Sequence, residues 1–334
     1  MTRHILPLLL GLLFLAQAQK AAAFCQAKTC DAADLTQHCQ LDSKTDCVLS
    51  GQPLFWSSSC VTFSLQQAAA PSAGIDYSAA KASLERALQA WTHVSCDGKA
   101  PSLRLTLSAP VSCDASEYNK DRKNANIVIF REDEWPYEGG EDALGLTRVR
   151  FDLDSNVGEL YDSDIEINAV TEPLSVGEPK PDEVDLDSLI THEVGHALGL
   201  AHSLDRQATM IAGYVSGSSG LRTLGDDDVA GICSIYPPER KPSSASCEPR
   251  HGFSPACGAD QPVAEAPAPA VDEPSPQSSG CTLAPSQVAR KLHTRGDWPY
   301  WAAALLGVGL RRLGKNRRNE PSARHDSTKA RDSV

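Results

Sequence analysis

Three histidines and one glutamate within eleven residues are the side chains best placed to carry chemistry. His192 and His196 are four residues apart, so on a helix their imidazoles lie on the same face, one turn apart. Glu193 follows the first histidine, where its carboxylate can reach a metal-bound water without ligating the metal. Gly199 can adopt the positive φ that ends a helix and reverses the chain, which brings His202 back as a third nitrogen. Three protein ligands and an open fourth position are typical of a catalytic zinc site.

The sequence around these residues predicts the helix that positions them. Asp185 can cap its N-terminus. The two histidines occupy a stripe that should face a cleft, whereas a second stripe is apolar and should pack on a sheet. The apolar stripe consists of Leu186, Ile190, Val194 and Leu198.

Apolar runs elsewhere in the chain predict that sheet and a further helix. Residues 127–130 form a continuous apolar run, as expected of a strand covered on both faces. The helix is expected to begin at Asp76 or Ser78, with a core-facing stripe that ends at Trp91. The other strands are expected at 60–65, 103–107, 144–151 and 162–168.

The motif from His192 to Ser203 resembles the zinc signature of the metzincins, and the serine after the third histidine points to the matrixin branch. Met210 follows His202 by eight residues, which is the spacing of the matrixin Met-turn beneath the zinc. Residues 224–232 are similar to the opening of the matrixin C-terminal helix. The resemblance extends over about 52–239.

This resemblance implies an α+β domain with a metzincin-like fold. Its twisted, mixed, five-stranded sheet would have an antiparallel edge strand, accompanied by an active-site helix and a C-terminal helix. The edge strand, with Leu144, Gly145 and Leu146, would pair with an extended peptide substrate by β-augmentation. Tyr214 would belong to the wall of the pocket for the residue after the scissile bond.

The implied activity is that of a secreted zinc endopeptidase with one catalytic zinc ion. Glu193 would act as the general base. Asp227 and Asp228 would brace the Met-turn from the last helix, although favourable charge at a helix N-terminus explains them equally well. A non-catalytic, zinc-containing surface module that binds partners is the alternative function, and the presence of Glu193 favours the enzyme.

The sequence also departs from the matrixin pattern. It contains no Pro-Arg-Cys-Gly motif, which leaves open whether one of the four N-terminal cysteines caps the zinc. No histidine occurs between His93 and His192, so we expect no second, structural zinc. The carboxylates of residues 152–158 fit a hairpin turn, with calcium binding as the alternative.

Composition limits the class of protein and its surroundings. The chain has 334 residues, 41% of them hydrophobic, which suits one sizeable domain with appendages. A net charge of −12 argues against nucleic acid as a partner, and we expect a monomer that acts on protein or peptide substrates. Eleven cysteines without metal-type spacing predict disulfides and an oxidising compartment.

The N-terminal region predicts export. A short apolar run after Arg3 and His4 predicts a signal peptide over residues 1–23, and hence a protein that is secreted or held at the cell surface. The resemblance to matrixins implies a bacterial, secreted member of that branch. A Cys-rich segment follows at 24–51, before the catalytic domain at 52–239.

The C-terminal region changes in composition. Residues 240–280 are rich in Pro, Ser and Ala and predict a solvated linker. Residues 281–318 contain Cys281, an apolar run and an arginine cluster, and resemble the C-terminal sorting tails of myxobacterial surface proteins. A surface amphipathic helix is the alternative, because thirteen apolar residues span only about 20 Å. A polar tail follows at 319–334.

Overall fold

The fold comes from a computed structural model. It describes residues 23–30, 37–119, 122–137, 143–154, 157–171 and 173–256, and the backbone of 288–290 and 311–312. The predicted signal peptide, except Ala23, lies outside the described residues, as does the polar tail.

The described chain contains three helices and thirteen strands. The helices are α1 (Tyr77–Thr92), α2 (Leu186–Ala197) and α3 (Asp226–Ile235). The strands are β1 (Cys25–Gln26), β2 (Phe55–Trp56), β3 (Cys60–Leu65), β4 (Arg104–Leu107), β5 (Asn126–Arg131), β6 (Ala143–Phe151), β7 (Glu159–Asn168), β8 (Leu174–Ser175), β9 (Val184–Asp185), β10 (Leu200–Ala201), β11 (Gly213–Tyr214), β12 (Val288–Arg290) and β13 (Arg311–Arg312). Two 3-10 turns, Pro71–Ala73 and Gly220–Arg222, complete the list.

A mixed sheet forms the centre of the domain, as predicted. The strand order is β4-β3-β5-β7-β6, in which the first four strands are parallel and β6 runs antiparallel to β7. Two short strands extend the predicted five-stranded sheet to seven. Since β5 pairs with β7 only from Ile165 onward, β2 can pair with the beginning of β7. Strand β12 pairs antiparallel with the outer edge of β6.

Helix α1 packs against α2 and supports it. Asp76 caps α1, because its carboxylate accepts a hydrogen bond of 2.8 Å from the backbone N–H of Ala79. The apolar stripe of α1 is buried, and its last member, Trp91, donates from its indole Nε1 to the carbonyl of Thr191 at 2.8 Å. This bond fixes α1 to α2 one residue before His192.

The segment after α3 belongs to the domain and not to a linker. Arg240 donates to the carbonyls of Trp56, Ser58 and Ser102, and a disulfide joins Cys60 to Cys247. Further along, the backbone N–H of Asn124 donates to the carbonyl of Gly252. Residues 240–256, which composition assigns to the linker, therefore make contacts with the domain. A disulfide, the Arg240 hydrogen bonds, backbone hydrogen bonds and the packing of Phe253 on a small apolar cluster hold this segment, and composition shows none of them.

The sequence predicted disulfides because its cysteines lack metal-type spacing, and four of them join described residues: Cys25–Cys47, Cys30–Cys39, Cys60–Cys247 and Cys96–Cys233. Cys113 is also disulfide-bonded. All four N-terminal cysteines are paired with one another. This pairing removes the alternative in which one of them offers a free thiolate to the metal.

Within the described part of the chain, no helix combines the length and the apolar character needed to span a membrane. The anchor-like segment at 281–318 lies outside the described residues except for the backbone of β12 and β13.

Candidate active site

Helix α2 is the buried support of the site, and all twelve of its residues are buried. Asp185 caps it as predicted, since its carboxylate accepts from the backbone N–H of Ser188 at 2.9 Å. The guanidinium of Arg222 holds the same carboxylate through two bonds of 2.8 and 2.6 Å. Arg222 offsets the cost of burying the Asp185 carboxylate. Its two hydrogen bonds therefore hold both the capping residue and the start of the helix in place.

The chain reverses at Gly199, as the sequence predicted. Its φ is +91°, a conformation that side chains with a Cβ rarely adopt. A Cβ at this position would also lie 2.6 Å from the carbonyl oxygen of Leu54. Both the conformation and the space therefore require glycine, and the reversal carries the chain through β10 to His202.

The three predicted ligands converge. One ligand atom from each of His192, His196 and His202 lies within 4.8 Å of the others, and all three residues are buried. The Nε2 atoms of His196 and His202 are 3.2 Å apart. Two nitrogens bound to one tetrahedral zinc at about 2.0–2.1 Å lie about 3.3 Å apart, so the spacing fits a zinc ion.

Backbone carbonyls orient two of the three rings. The Nδ1 of His192 lies 2.7 Å from the carbonyl oxygen of Thr209, and the Nδ1 of His196 lies 2.8 Å from that of Leu200. A carbonyl can only accept, so each Nδ1 carries the proton and each Nε2 presents a lone pair. The Nε2 of His192 is buried without a hydrogen-bond partner, as expected of an atom that ligates a metal.

Burial also keeps the imidazoles neutral, which metal binding requires. Burial lowers the pKa of His192 to about 4. Burial lowers the pKa values of His196 and His202 well below the usual value, and the neighbouring histidines lower them further.

Glu193 lies beneath strand β6 with one oxygen held and one free. Its Oε2 accepts from the hydroxyl of Thr147 at 2.6 Å, whereas its Oε1 is buried without a hydrogen-bond partner. Burial raises the pKa of Glu193 to about 8, and the bond from Thr147 opposes that shift. A Cβ at Gly145 would lie 2.9 Å from Oε1, so glycine in β6 makes room for this carboxylate.

Thr147 is a site residue that sequence analysis missed. Its hydroxyl is also 3.1 Å from the backbone carbonyl of Glu193, so it ties both the side chain and the main chain of that residue to β6. Its only sequence signal is a polar residue directly after the apolar start of the strand, Ala143–Leu146. The pairing itself, across 46 residues, depends on the fold.

If the sequence-predicted peptidase activity is assayed, replacing Thr147 with valine should lower its kcat by about 10–100-fold with little change in KM. A hydrogen bond to a charged group contributes about 1.5–3 kcal/mol, and the lost bond orients Glu193 rather than the substrate. Steady-state kinetics would measure kcat and KM separately. Thr147→Ser keeps the hydroxyl and should retain most of the activity, whereas equal losses in both variants would contradict this role for the hydroxyl.

Met210, the residue predicted for the Met-turn, lies against helix α2. Met210 is buried, and a Cβ at Gly195 would lie 2.3 Å from its sulfur, so glycine in α2 lets the methionine approach the helix. Asp228 accepts from the backbone N–H groups of Thr209 and Met210 at 2.6 and 3.0 Å. Asp228 thus braces the turn, and it also fixes the carbonyl that orients His192.

Asp227 has a different contact from the one predicted. Its carboxylate accepts from the hydroxyl of Ser203 at 2.6 Å, directly after the third histidine. The two neighbouring aspartates of α3 therefore hold two different loops of the site.

The residues predicted to bind substrate lie in two strands, β6 and β11. Leu144 and Leu146 have buried side chains, so β6 can offer a partner only its backbone edge. The chain's own β12 uses this edge, with Val288 opposite Leu146 and Ala289 opposite Gly145. Tyr214 is fully buried, and its hydroxyl donates to the carbonyl of Ser218 and accepts from the backbone N–H of Asp185.

Fold and site together define a metalloprotease-type domain, in which a mixed sheet covers a buried helix that presents two of three convergent histidines. A family model described as Matrixin matches residues 55–237, more than half of the chain. The chain belongs to the matrixin family, for which a catalytic zinc is expected, and the three histidines fit that ion.

Individual relatives agree with this assignment. The chain is 34% identical over 134 residues to matrix metalloproteinase-16 from Rattus norvegicus and from Homo sapiens, which covers 38% of this chain and 21% of each relative. It is 32% identical over 127 residues to a putative matrix metalloproteinase of Trichoplusia ni ascovirus 2c, covering 35% of this chain and 24% of the relative. The chain thus spans about a fifth to a quarter of the length of these relatives.

Proposed function

We propose that this protein is a zinc-dependent endopeptidase in which His192, His196 and His202 hold the metal and Glu193 is the general base. One observation supports this more than any other. Three buried histidines converge beside a carboxylate that keeps one buried oxygen free of hydrogen bonds. A structural zinc site has no use for that carboxylate, whereas peptide hydrolysis needs it.

A zinc ion bound there supplies a positive charge that activates water and stabilises the developing oxyanion. Glu193 takes a proton from the attacking water through its free Oε1, while Thr147 holds Oε2. The water oxygen bonds to the scissile carbonyl carbon. Glu193 then passes the proton to the amine nitrogen as the C–N bond breaks.

The substrate in this proposal is an extended protein segment. The backbone edge of β6, at Leu144, Gly145 and Leu146, would pair with it antiparallel, in the way that β12 pairs with the same edge. Tyr214, fixed between the N-terminus of α2 and the loop that follows β11, would stabilise the opposite rim through its buried contacts.

We propose further that the protein acts outside the cytoplasm, secreted or at the cell surface. The disulfides of the described residues need an oxidising compartment, and the sequence of residues 1–23 has the pattern of a signal peptide. Anchoring through 281–318 is part of this proposal and rests on sequence alone.

The test is a peptidase assay on the purified secreted chain, together with its metal content. We expect one zinc ion per chain, loss of nearly all activity when a chelator removes it, and recovery on adding zinc. A chain that binds zinc but cleaves no peptide from a diverse library would instead favour the non-catalytic binding module.

A further inference from the structure

We infer that the described residues of the Cys-rich N-terminal segment, 24–30 and 37–51, are a lasting part of the catalytic domain. They hold the loop that delivers His202 to the metal, and the Cys25–Cys47 disulfide keeps them in place. This inference rests on the proposed zinc site. It makes the segment a positioning element and not a removable cover.

The segment pairs directly with the loop between the second and third histidines. Strand β1 runs antiparallel to β10, with Cys25 opposite Ala201 and Gln26 opposite Leu200. Beyond the strand, the backbone N–H of Ala27 donates to the carbonyl of Gly199 at 2.8 Å. The whole stretch from the chain reversal to the residue before His202 therefore has the N-terminal segment as its backbone partner.

This pairing also reaches a second histidine. The carbonyl of Leu200 lies 2.8 Å from the Nδ1 of His196 and sets the tautomer of that ring. Leu200 is opposite Gln26 in the β1–β10 pair. Groups that hydrogen-bond to metal ligands contribute strongly to metal affinity. Strand β1 therefore affects two ligands, His196 and His202, through its pairing with β10.

Further contacts fix β1 to the domain on both sides. The side-chain amide of Gln26 donates to the carbonyl of Leu54 at 2.8 Å, and Leu54 donates in turn to the carbonyl of Ala27. The same Leu54 carbonyl lies against Gly199. On the other side, a Cβ at Gly231 of α3 would contact Leu200 and Phe24, so these two side chains pack together on the helix.

The two disulfides of the segment differ in their distance from the site. Cys25 lies within β1, is 4% exposed, and is bonded to Cys47 across 22 residues. Cys30–Cys39 closes a shorter loop, and Cys30 packs against Gly51 away from the β1–β10 pair. Removing the first bond should free β1, whereas removing the second should not.

The experiment compares three double variants of the full secreted chain with the wild type. Cys25→Ser/Cys47→Ser tests the inference, and Cys30→Ser/Cys39→Ser is the control within the same segment. Cys60→Ser/Cys247→Ser is the control for general destabilisation, because it opens the largest of the described disulfide loops, at a separation of 187 residues. Zinc release into a colorimetric chelator, urea unfolding and the N-terminus of the active protein are measured for each.

We expect zinc to leave the Cys25/Cys47 variant at least about tenfold faster than the wild type. The other two variants should release zinc at the wild-type rate, even where urea unfolds the Cys60/Cys247 variant more easily. The active wild-type protein should retain the segment from Phe24 or close to it. Equal zinc release in all variants, or full activity after removal of the segment, would overturn the inference.

Gln26→Ala keeps the test decisive should the Cys25/Cys47 variant fail to fold. It removes only the bond to the Leu54 carbonyl and should speed zinc release about two- to fivefold. No change would count against the inference. A wild-type chain that binds no zinc would instead overturn the proposed function, so the two failures are distinguishable.

Discussion

Replacing Glu193 with glutamine should lower kcat/KM for peptide hydrolysis by about 10²–10⁴-fold, the contribution of a positioned general base. Glutamine has nearly the same shape and can still accept from Thr147, so the geometry around the histidines should persist. The variant loses only the ability to take and return a proton. Steady-state kinetics on a peptide substrate measure the loss, and zinc content per chain measures what is retained.

The pKa of Glu193 provides a check that the variant is folded. Burial raises this pKa from 4.5 to about 8 in the metal-free protein. Between these two pH values the folded state keeps a proton on Glu193 that the unfolded state has lost. The free energy of unfolding of the wild type therefore falls as the pH rises through that window. Glutamine removes this contribution, so the metal-free variant should lose less stability between pH 5 and pH 8.5 than the wild type.

Glu85→Gln is the matched control, because Glu85 lies on the partly exposed surface of α1 and pairs only with Lys81 among the ion pairs of the described residues. It should have wild-type kinetics. A Glu193→Gln protein that binds zinc and cleaves peptides at the wild-type rate would remove Glu193 from the mechanism.

The parts of the site that sequence analysis predicted are those set by neighbours along the chain. The helix that carries His192 and His196 begins after Asp185 because a cap and an apolar stripe are local features. Gly199 was predicted as the point of reversal for the same reason, since its conformation is a property of one residue. Family resemblance added Met210 and the edge strand.

The parts that were missed depend on contacts distant in sequence. Thr147 meets Glu193 only because β6 lies over α2, and nothing within either segment identifies the partner. The pairing of β1 with β10 joins residues about 175 positions apart, and its strands are too short to give a periodic signal. The attachment of residues 240–256 similarly depends on Arg240, one disulfide and backbone hydrogen bonds to distant segments, none of which composition reveals.

Gly199→Ala should destabilise the protein by about 2–6 kcal/mol and weaken zinc binding. A positive φ of +91° costs a residue with a Cβ about 1–3 kcal/mol. The new methyl group would also lie 2.6 Å from the Leu54 carbonyl oxygen, which is fixed backbone, and overpacking of this kind costs about 1–3 kcal/mol more. Since β10 begins at the next residue, relief of the clash must displace the strand that leads to His202.

Gly98→Ala separates the cost of the positive φ from the cost of the contact with Leu54. Its φ of +85° is nearly the same, but nothing lies within 4 Å of the Cβ that alanine would add. It should therefore show the strain cost alone, with unchanged zinc affinity. Urea unfolding of the metal-free proteins and zinc competition with a chelator measure both quantities. If the two variants prove equally stable and equally tight in zinc binding, the contact between Gly199 and Leu54 has no part in placing the third ligand.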